Sequence, residues 1–455
     1  MSPFLARNLS YEDNGTYGQI NLLNGYLTVL FGLGIVAVIN LLLSEYKNEE
    51  NKILSANLWI QATMGGLCSL LIFVFSEPLN LLFANENLSE YLLLYLPSTF
   101  FIILSNGFTY YFVHFNKTRQ LSFITVCINL FRVTSIFYAV NVLNSLYYAI
   151  VLLNIVNGVN FFMQAWVLKK QYFPIRIPDF QIIRYMIKLG YPYLGLAVIG
   201  YSILNANGIV VSNILGVQKF AIYRNGALEL PFVATLYNSV SAVTLPRVVE
   251  YVRSKSFQAL LDLKRKSSIA VAVMIYPIVY FVIINGEAFM TLYLGEKYME
   301  SGIIFSVYNI AVLIRINSYS DILTAQKKTK EILVPNLFIL VVNLGLAIIL
   351  THFLGVNGAA IAYSFSIFLY SYLLIFSATK SINSKIRDYF DFVGLGKISV
   401  ISIIFALIAH LFIEPKIISF VVITTLYLLI CYLLIIKLDL FERSYMPRSI
   451  NRLLS

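Results

Sequence analysis

Charge is scarce in this chain. Only 12% of its 455 residues are Asp, Glu, Lys or Arg, about half the share of a soluble domain, whereas 59% are hydrophobic and mean hydropathy is +0.78. That imbalance excludes an ordinary solvated globule. Cysteine is nearly absent: Cys68, Cys127 and Cys431 all lie in apolar runs, with no CxxC and no histidine at ligand spacing, which excludes a disulfide framework and a zinc site. The three histidines, His114, His352 and His410, stand far apart. Walker A, GxSxG and HExxH patterns are all missing, and acids outside the apolar runs, such as Glu296 and Glu300, read as solvated loop residues. An enzyme therefore has nothing to stand on, and no metal or cofactor is implied. The N-terminus lacks the charged-then-apolar pattern of a leader, so targeting is expected to use the first apolar run.

What the chain does have is apolar runs near the ~20 residues that span a bilayer. They cover roughly 16–43, 57–76, 91–113, 121–140, 145–168, 188–214, 225–246, 266–285, 302–324, 332–350, 357–379, 398–413 and 417–436. The expected fold class is an all-α polytopic membrane protein with 13 visible spans. A net charge of +11 does not mean nucleic acid here, because the cations sit between spans. Of 33 Lys and Arg, 26 fall in alternate connections and five (Arg7, Lys219, Arg224, Lys297, Lys416) in the opposite set, with Arg132 and Arg315 inside spans. Since Lys and Arg in short loops favour the cytoplasm, the tail at 438–455 and the basic loops, Lys264 among them, are expected there.

The chain also repeats itself. Leu9-Ser10 and Tyr17 match Leu215-Gly216 and Tyr223 at an offset of 206, while Asn85-Glu86, Lys117 and Tyr148-Ala149 match Gly295-Glu296, Lys327 and Gly358-Ala359 at 210. An offset this steady points to a duplication: an N-terminal lobe at 1–170, an amphipathic cytoplasmic linker at 171–187, a C-terminal lobe at 188–380 and an extra helix pair at 397–437. The second copy has a span before its Leu-Gly corner and the first has only eight residues before Leu9, so a fourteenth span is expected upstream.

Polar residues recur at helical spacing on several spans. Tyr17, Asn21, Asn24 and Thr28 form one stripe; Ser122, Thr125, Asn129 and Arg132 a second; Ser202, Asn205 and Ser212 a third; Ser306, Asn309, Asn317, Ser320 and Thr324 a fourth. Either they hold helices together at roughly 0.6 kcal/mol apiece, or they line a hydrated pathway, to which Asn225 is added. Four formal charges lie deep in spans: Arg132, Glu229, Arg315 and Asp321. A charge there costs about 2.5–3.5 kcal/mol on insertion scales and needs a partner or a cavity. The arginines either pair with the acids or hold a diphosphate, which suits a planar, permanently charged fork; the acids keep H⁺ or Na⁺ binding open.

The corner Leu9-Ser10-Tyr11-Glu12-Asp13-Asn14-Gly15-Thr16-Tyr17-Gly18 resembles the segment after the first helix of bacterial polysaccharide flippases. These are the O-antigen and capsule repeat-unit translocators of the multidrug/oligosaccharidyl-lipid/polysaccharide exporter superfamily. Lys188-Leu189-Gly190-Tyr191-Pro192, Leu215-Gly216, Ala325-Gln326-Lys327-Lys328 and Gly355-Val356-Asn357-Gly358-Ala359-Ala360 look like further marks of that family. The resemblance implies two six-helix lobes around a cationic cavity in the bacterial inner membrane. It implies export of a polyprenyl-diphosphate-linked oligosaccharide, with a polysaccharide polymerase and a chain-length regulator as partners. Where many relatives place an Asp-Arg pair before the second corner, this chain has Asn207-Gly208, so no charge role carries over there. A drug or cation antiporter of the same superfamily is the alternative.

Overall fold

The computed structural model describes residues 2–45, 50–172, 179–414 and 416–438; residues 173–178 of the expected linker and 439–455 of the expected tail lie outside them. Among the described residues all regular structure is helical. A bilayer core offers backbone groups no water, so each N–H and C=O must be satisfied within the protein, and helices do this locally.

In the first half the helices are α1 (Ser2–Asn8), α2 (Tyr11–Phe31), α3 (Ile35–Glu45), α4 (Glu50–Leu82), α5 (Leu88–Leu104), α6 (Phe108–His114), α7 (Thr118–Asn141) and α8 (Leu146–Tyr172). Then come α9 (Phe180–Gly226), α10 (Pro231–Arg253), α11 (Phe257–Leu294), α12 (Ser301–Ile310), α13 (Asp321–Ala325), α14 (Lys330–Leu354) and α15 (Val356–Ser381). The chain closes with α16 (Ile386–Tyr389), α17 (Phe392–His410) and α18 (Ile417–Lys437).

The duplication is visible in the packing. In the first half α4 packs on α5, α5 on α8 and α7 on α8; in the second, α11 packs on α12, α12 on α15 and α14 on α15. The corner that aligns the copies is a break in both. Ser10 accepts from the Asp13 N–H at 2.9 Å and caps α2, while Gly216, at φ +79°, interrupts α9, a conformation open to glycine because it has no Cβ. At 47 residues α9 would be about 70 Å long if straight, more than twice what a bilayer core needs. The expected extra pair is present: α17 and α18 pack on each other and on α11, around Phe281, Ala406, Tyr427 and Cys431.

Two compact units result, 1–221 and 222–455. The first takes in the leading part of α9, which the sequence placed in the second lobe. Gln19 of α2 donates to Ser212 of α9 at 2.7 Å and to the Phe83 carbonyl at 3.0 Å, and Ile182 and Met186 join the core built on Ile39, Ile53 and Phe112.

Ten described helices are long and apolar enough to cross a membrane, and the bent pair α2–α3 makes eleven. The protein is a multi-pass membrane protein. Two of the 13 expected spans, 225–246 and 302–324, are not among those helices; the first contains Glu229 and the second Arg315 and Asp321. The run 225–246 begins in the end of α9 and then passes four non-helical residues, 227–230, around Glu229 before α10. The run 302–324 is broken: α12 passes through a 3-10 turn at Ala311–Leu313 into an irregular stretch, 314–320, holding Arg315, before α13 resumes.

Candidate functional site

Irregular backbone at membrane depth is tolerated only where protein or a cavity satisfies it, and in the second unit the satisfaction is complete enough to trace. Around 227–230, Asn309 of α12 donates to the Leu228 carbonyl at 3.1 Å and accepts from the Leu230 N–H at 3.3 Å. Across 313–318, Tyr276 donates to the Leu313 carbonyl at 2.9 Å, Tyr319 donates to Ile314, and Lys264 and Tyr389 donate to Ser318 at 2.9 and 3.4 Å. The two openings bring Glu229 and Arg315 together. Arg315 Nη1 lies 2.5 and 2.6 Å from the two carboxylate oxygens, and Tyr363 of α15 donates to Glu229 Oε1 at 2.6 Å. Tyr363 stacks on Tyr308 with centroids 4.1 Å apart, and the Tyr308 hydroxyl meets that of Tyr223 at 2.7 Å. The pair is half-buried, 36% exposed at Arg315 and 24% at Glu229.

A second, fully enclosed network lies beneath the irregular stretch. Lys264 Nζ sits 3.0 Å from Asp321 Oδ2 and 3.1 Å from Asn317 Oδ1, with no exposure at Lys264. Ser318 donates to the other Asp321 oxygen, and Asn317 donates to the Lys264 carbonyl and to the Ser267 and Ser268 hydroxyls at 2.8–3.0 Å. This corrects the placement of Lys264 in a loop between spans: it belongs to α11 and is buried. Its helical phase carried the signal, since Ser268, Val271 and Ile275 follow it at i+4, i+7 and i+11 and are buried as well.

In the first unit Arg132 of α7 is held differently. Its Nη2 donates to Asn157 Oδ1 of α8 at 3.0 Å, Asn157 donates to Ser98 Oγ at 3.0 Å, and Ser98 donates in turn to Asn154 Oδ1 at 2.6 Å. Among the described residues no carboxylate lies at ion-pair distance from Arg132.

The other expected site residues scatter. Asn21 and Asn205 donate to the Tyr17 and Tyr201 carbonyls one turn back on their own helices. Asn24 keeps a buried carbonyl oxygen without a partner among the described residues. Asn129 is exposed on α7, and Asn225 is buried at the end of α9. The fourth stripe is not a stripe, because the break at 311–320 puts Ser306 and Asn309 on one helix and Thr324 on another. For the same reason the depth of Arg315 cannot be counted at 1.5 Å per residue. Tyr363, Tyr308, Asn157 and Ser98 went unnoticed in the sequence, where each is one of several polar residues scattered along an apolar run.

The structure is thus a duplicated helical bundle with broken, charge-bearing helices in its second half. A lipid II flippase, MurJ, in an inward closed conformation superposes with a TM-score of 0.73 at 19% identity, over 95% of this chain and 94% of that one. An inward-facing multidrug resistance transporter of the MATE family gives 0.65 at 13% identity, over 84% and 95%, and the eukaryotic MATE transporter AtDTX14 gives 0.56 at 11%, over 88% and 97%. No curated protein sequence matches. The sequence profile of the polysaccharide biosynthesis protein family matches residues 4–303, and the chain belongs to that family. The membership expected from the corner motifs is borne out.

Proposed function

We propose that the protein is a flippase for lipid-linked oligosaccharides, not an enzyme, and that Arg132 meets the phosphates of the lipid carrier. The observation that carries this reading is a guanidinium on a membrane helix, partly exposed, whose partner is a neutral amide. Burying a guanidinium against an amide leaves its charge unbalanced, and a passing diphosphate balances it with the bidentate geometry arginine favours. Arg315 is a weaker candidate because Glu229 already neutralises it.

The family match and the MurJ-like fold support the same reading. In its finer form the substrate is a polyprenyl-diphosphate-linked O-antigen or capsule repeat unit. It is moved across the bacterial inner membrane by alternating access between the two halves, a mode common among repeat-built transporters. The tail is then cytoplasmic, and a polymerase and a chain-length regulator take the product. The antiporter reading needs a membrane carboxylate available to H⁺ or Na⁺, and both candidates are engaged, Glu229 by Arg315 and Asp321 by Lys264.

The test is surface polysaccharide at matched protein levels. Arg132→Gln is expected to abolish export and leave lipid-linked repeat units on the cytoplasmic leaflet, whereas Arg132→Lys retains part of it. Full export by Arg132→Gln overturns the role of Arg132.

A further inference from the structure

The first unit carries a second basic feature, apart from Arg132. A groove of about 840 Å³ runs along the α7–α8 pair, walled by Phe123 and Ile124 of α7 and Val159, Phe162, Met163 and Trp166 of α8. Its lining is almost wholly apolar except at one end, where Arg119 and Gln120 open α7. At the same end Lys169, exposed on the last turns of α8, places its ammonium 3.7 Å from the centre of the Trp166 ring. Arg119 is exposed and makes no hydrogen bond or ion pair among the described residues. Phe123, Phe162 and Trp166 are 62–70% exposed, an aromatic wall open to the bilayer.

We infer that this groove binds an anionic phospholipid of the bilayer, one hydrocarbon chain lying along Phe123 and Phe162 and the phosphate held by Arg119 and Lys169. The chemistry changes from apolar to cationic along a single axis, which is the order of a lipid from chain to headgroup. Tryptophan with a lysine over its ring suits the interfacial level, where amphipathic rings collect, and basic side chains at that level attract anionic headgroups. The site is separate from the proposed transport residue. Arg132 lies 13 positions after Arg119, about 220° further round α7 at 3.6 residues per turn, and Asn157 faces α5 through Ser98, about 180° from Trp166 on α8. A resident lipid, rather than cargo, is therefore the occupant.

Trp59 and Trp166 are the chain's two tryptophans, so Trp59→Phe leaves Trp166 as the sole indole reporter. That variant, reconstituted in phosphatidylcholine vesicles, is titrated with chain-brominated phosphatidylglycerol or chain-brominated phosphatidylcholine, and quenching is read. The expected result is half-maximal quenching at about a 25-fold lower mole fraction of the anionic lipid, given roughly fivefold for each of the two basic side chains near a charged headgroup. The preference should vanish in Arg119→Gln/Lys169→Gln, whose altered side chains are exposed and whose folding is checked by size-exclusion elution of the same sample. Equal quenching by both lipids overturns the site, and so does a preference that survives the double substitution. Neither readout depends on polysaccharide export, so failure here leaves the flippase reading standing, and the reverse.

Discussion

Arg132 and Arg315 occupy opposite halves of a duplicated chain, and the protein treats them differently. Arg315 sits in a broken helix and meets a carboxylate at 2.5 Å; Arg132 sits in an unbroken one and meets an amide at 3.0 Å. Neither has a charged counterpart in the other copy. At an offset of 210 the place of Arg315 is taken by Ser105, in a three-residue break that closes with backbone bonds, the Ser105 hydroxyl on the Phe101 carbonyl at 2.8 Å and, from another helix, Asn57 donating to the Asn106 carbonyl at 3.1 Å. Gly107, at φ +90°, turns the chain there. The short break needs one glycine, one hydroxyl and one amide. The long one needs a lysine, an acid and three tyrosines. The two copies share their helices and differ in their charges.

The difference can be broken from the heaviest side first. Lys264→Met strands a buried carboxylate, and removing one partner of a buried pair costs about 3–5 kcal/mol. Thermal unfolding in detergent should show the largest fall of any variant, with Lys264→Met/Asp321→Asn recovering much of it. A double variant no more stable than the single one would mean that the ammonium matters for the Ser318 carbonyl rather than for the acid. Asn309→Ala comes next: it leaves the Leu228 carbonyl and Leu230 N–H unpaired, at about 1–3 kcal/mol for a buried polar group. Glu229→Gln follows, at about 1–2 kcal/mol once hydrogen bonds to a charged group are discounted for the exposure of the pair. Arg132→Gln should change stability by less than ~1 kcal/mol, because an amide–amide contact replaces an amide–guanidinium one. A large drop in melting temperature would make Arg132 a structural residue. Asn21→Ala, which removes only a bond to its own helix, should fall within about 0.5 kcal/mol.

Much of this was readable in advance, and what was not has a common cause. Apolar length located the helices, the offset near 210 located the copies, and the cost of a charge in a bilayer singled out Glu229, Arg315, Asp321 and Arg132. Hydropathy does not show where a span stops being a helix. Residues 302–324 read as a continuous span because Ile314, Ile316 and Ile322 are as apolar as their neighbours. What opens the chain is donors on other elements: Tyr276 and Lys264 on α11 and Tyr389 on α16. Lys264 itself was lost among the adjacent Arg265 and Lys266, where only helical phase separates a buried cation from two others. The partner of Arg132 was equally hidden, since one asparagine among several on α8 carries no mark until Ser98 is beside it.

The stretch from Ala311 to Ala325 therefore does not encode its own shape, and that bears on how the protein can be recombined. A chimaera that receives only these fifteen residues has their sequence without the donors that hold the carbonyls open, and the segment should anneal into an ordinary straight helix with Arg315 stranded. The smallest transferable piece is discontinuous. It comprises the segment together with positions 264, 276 and 389, so a crossover placed anywhere between α11 and α16 would divide a single heritable unit.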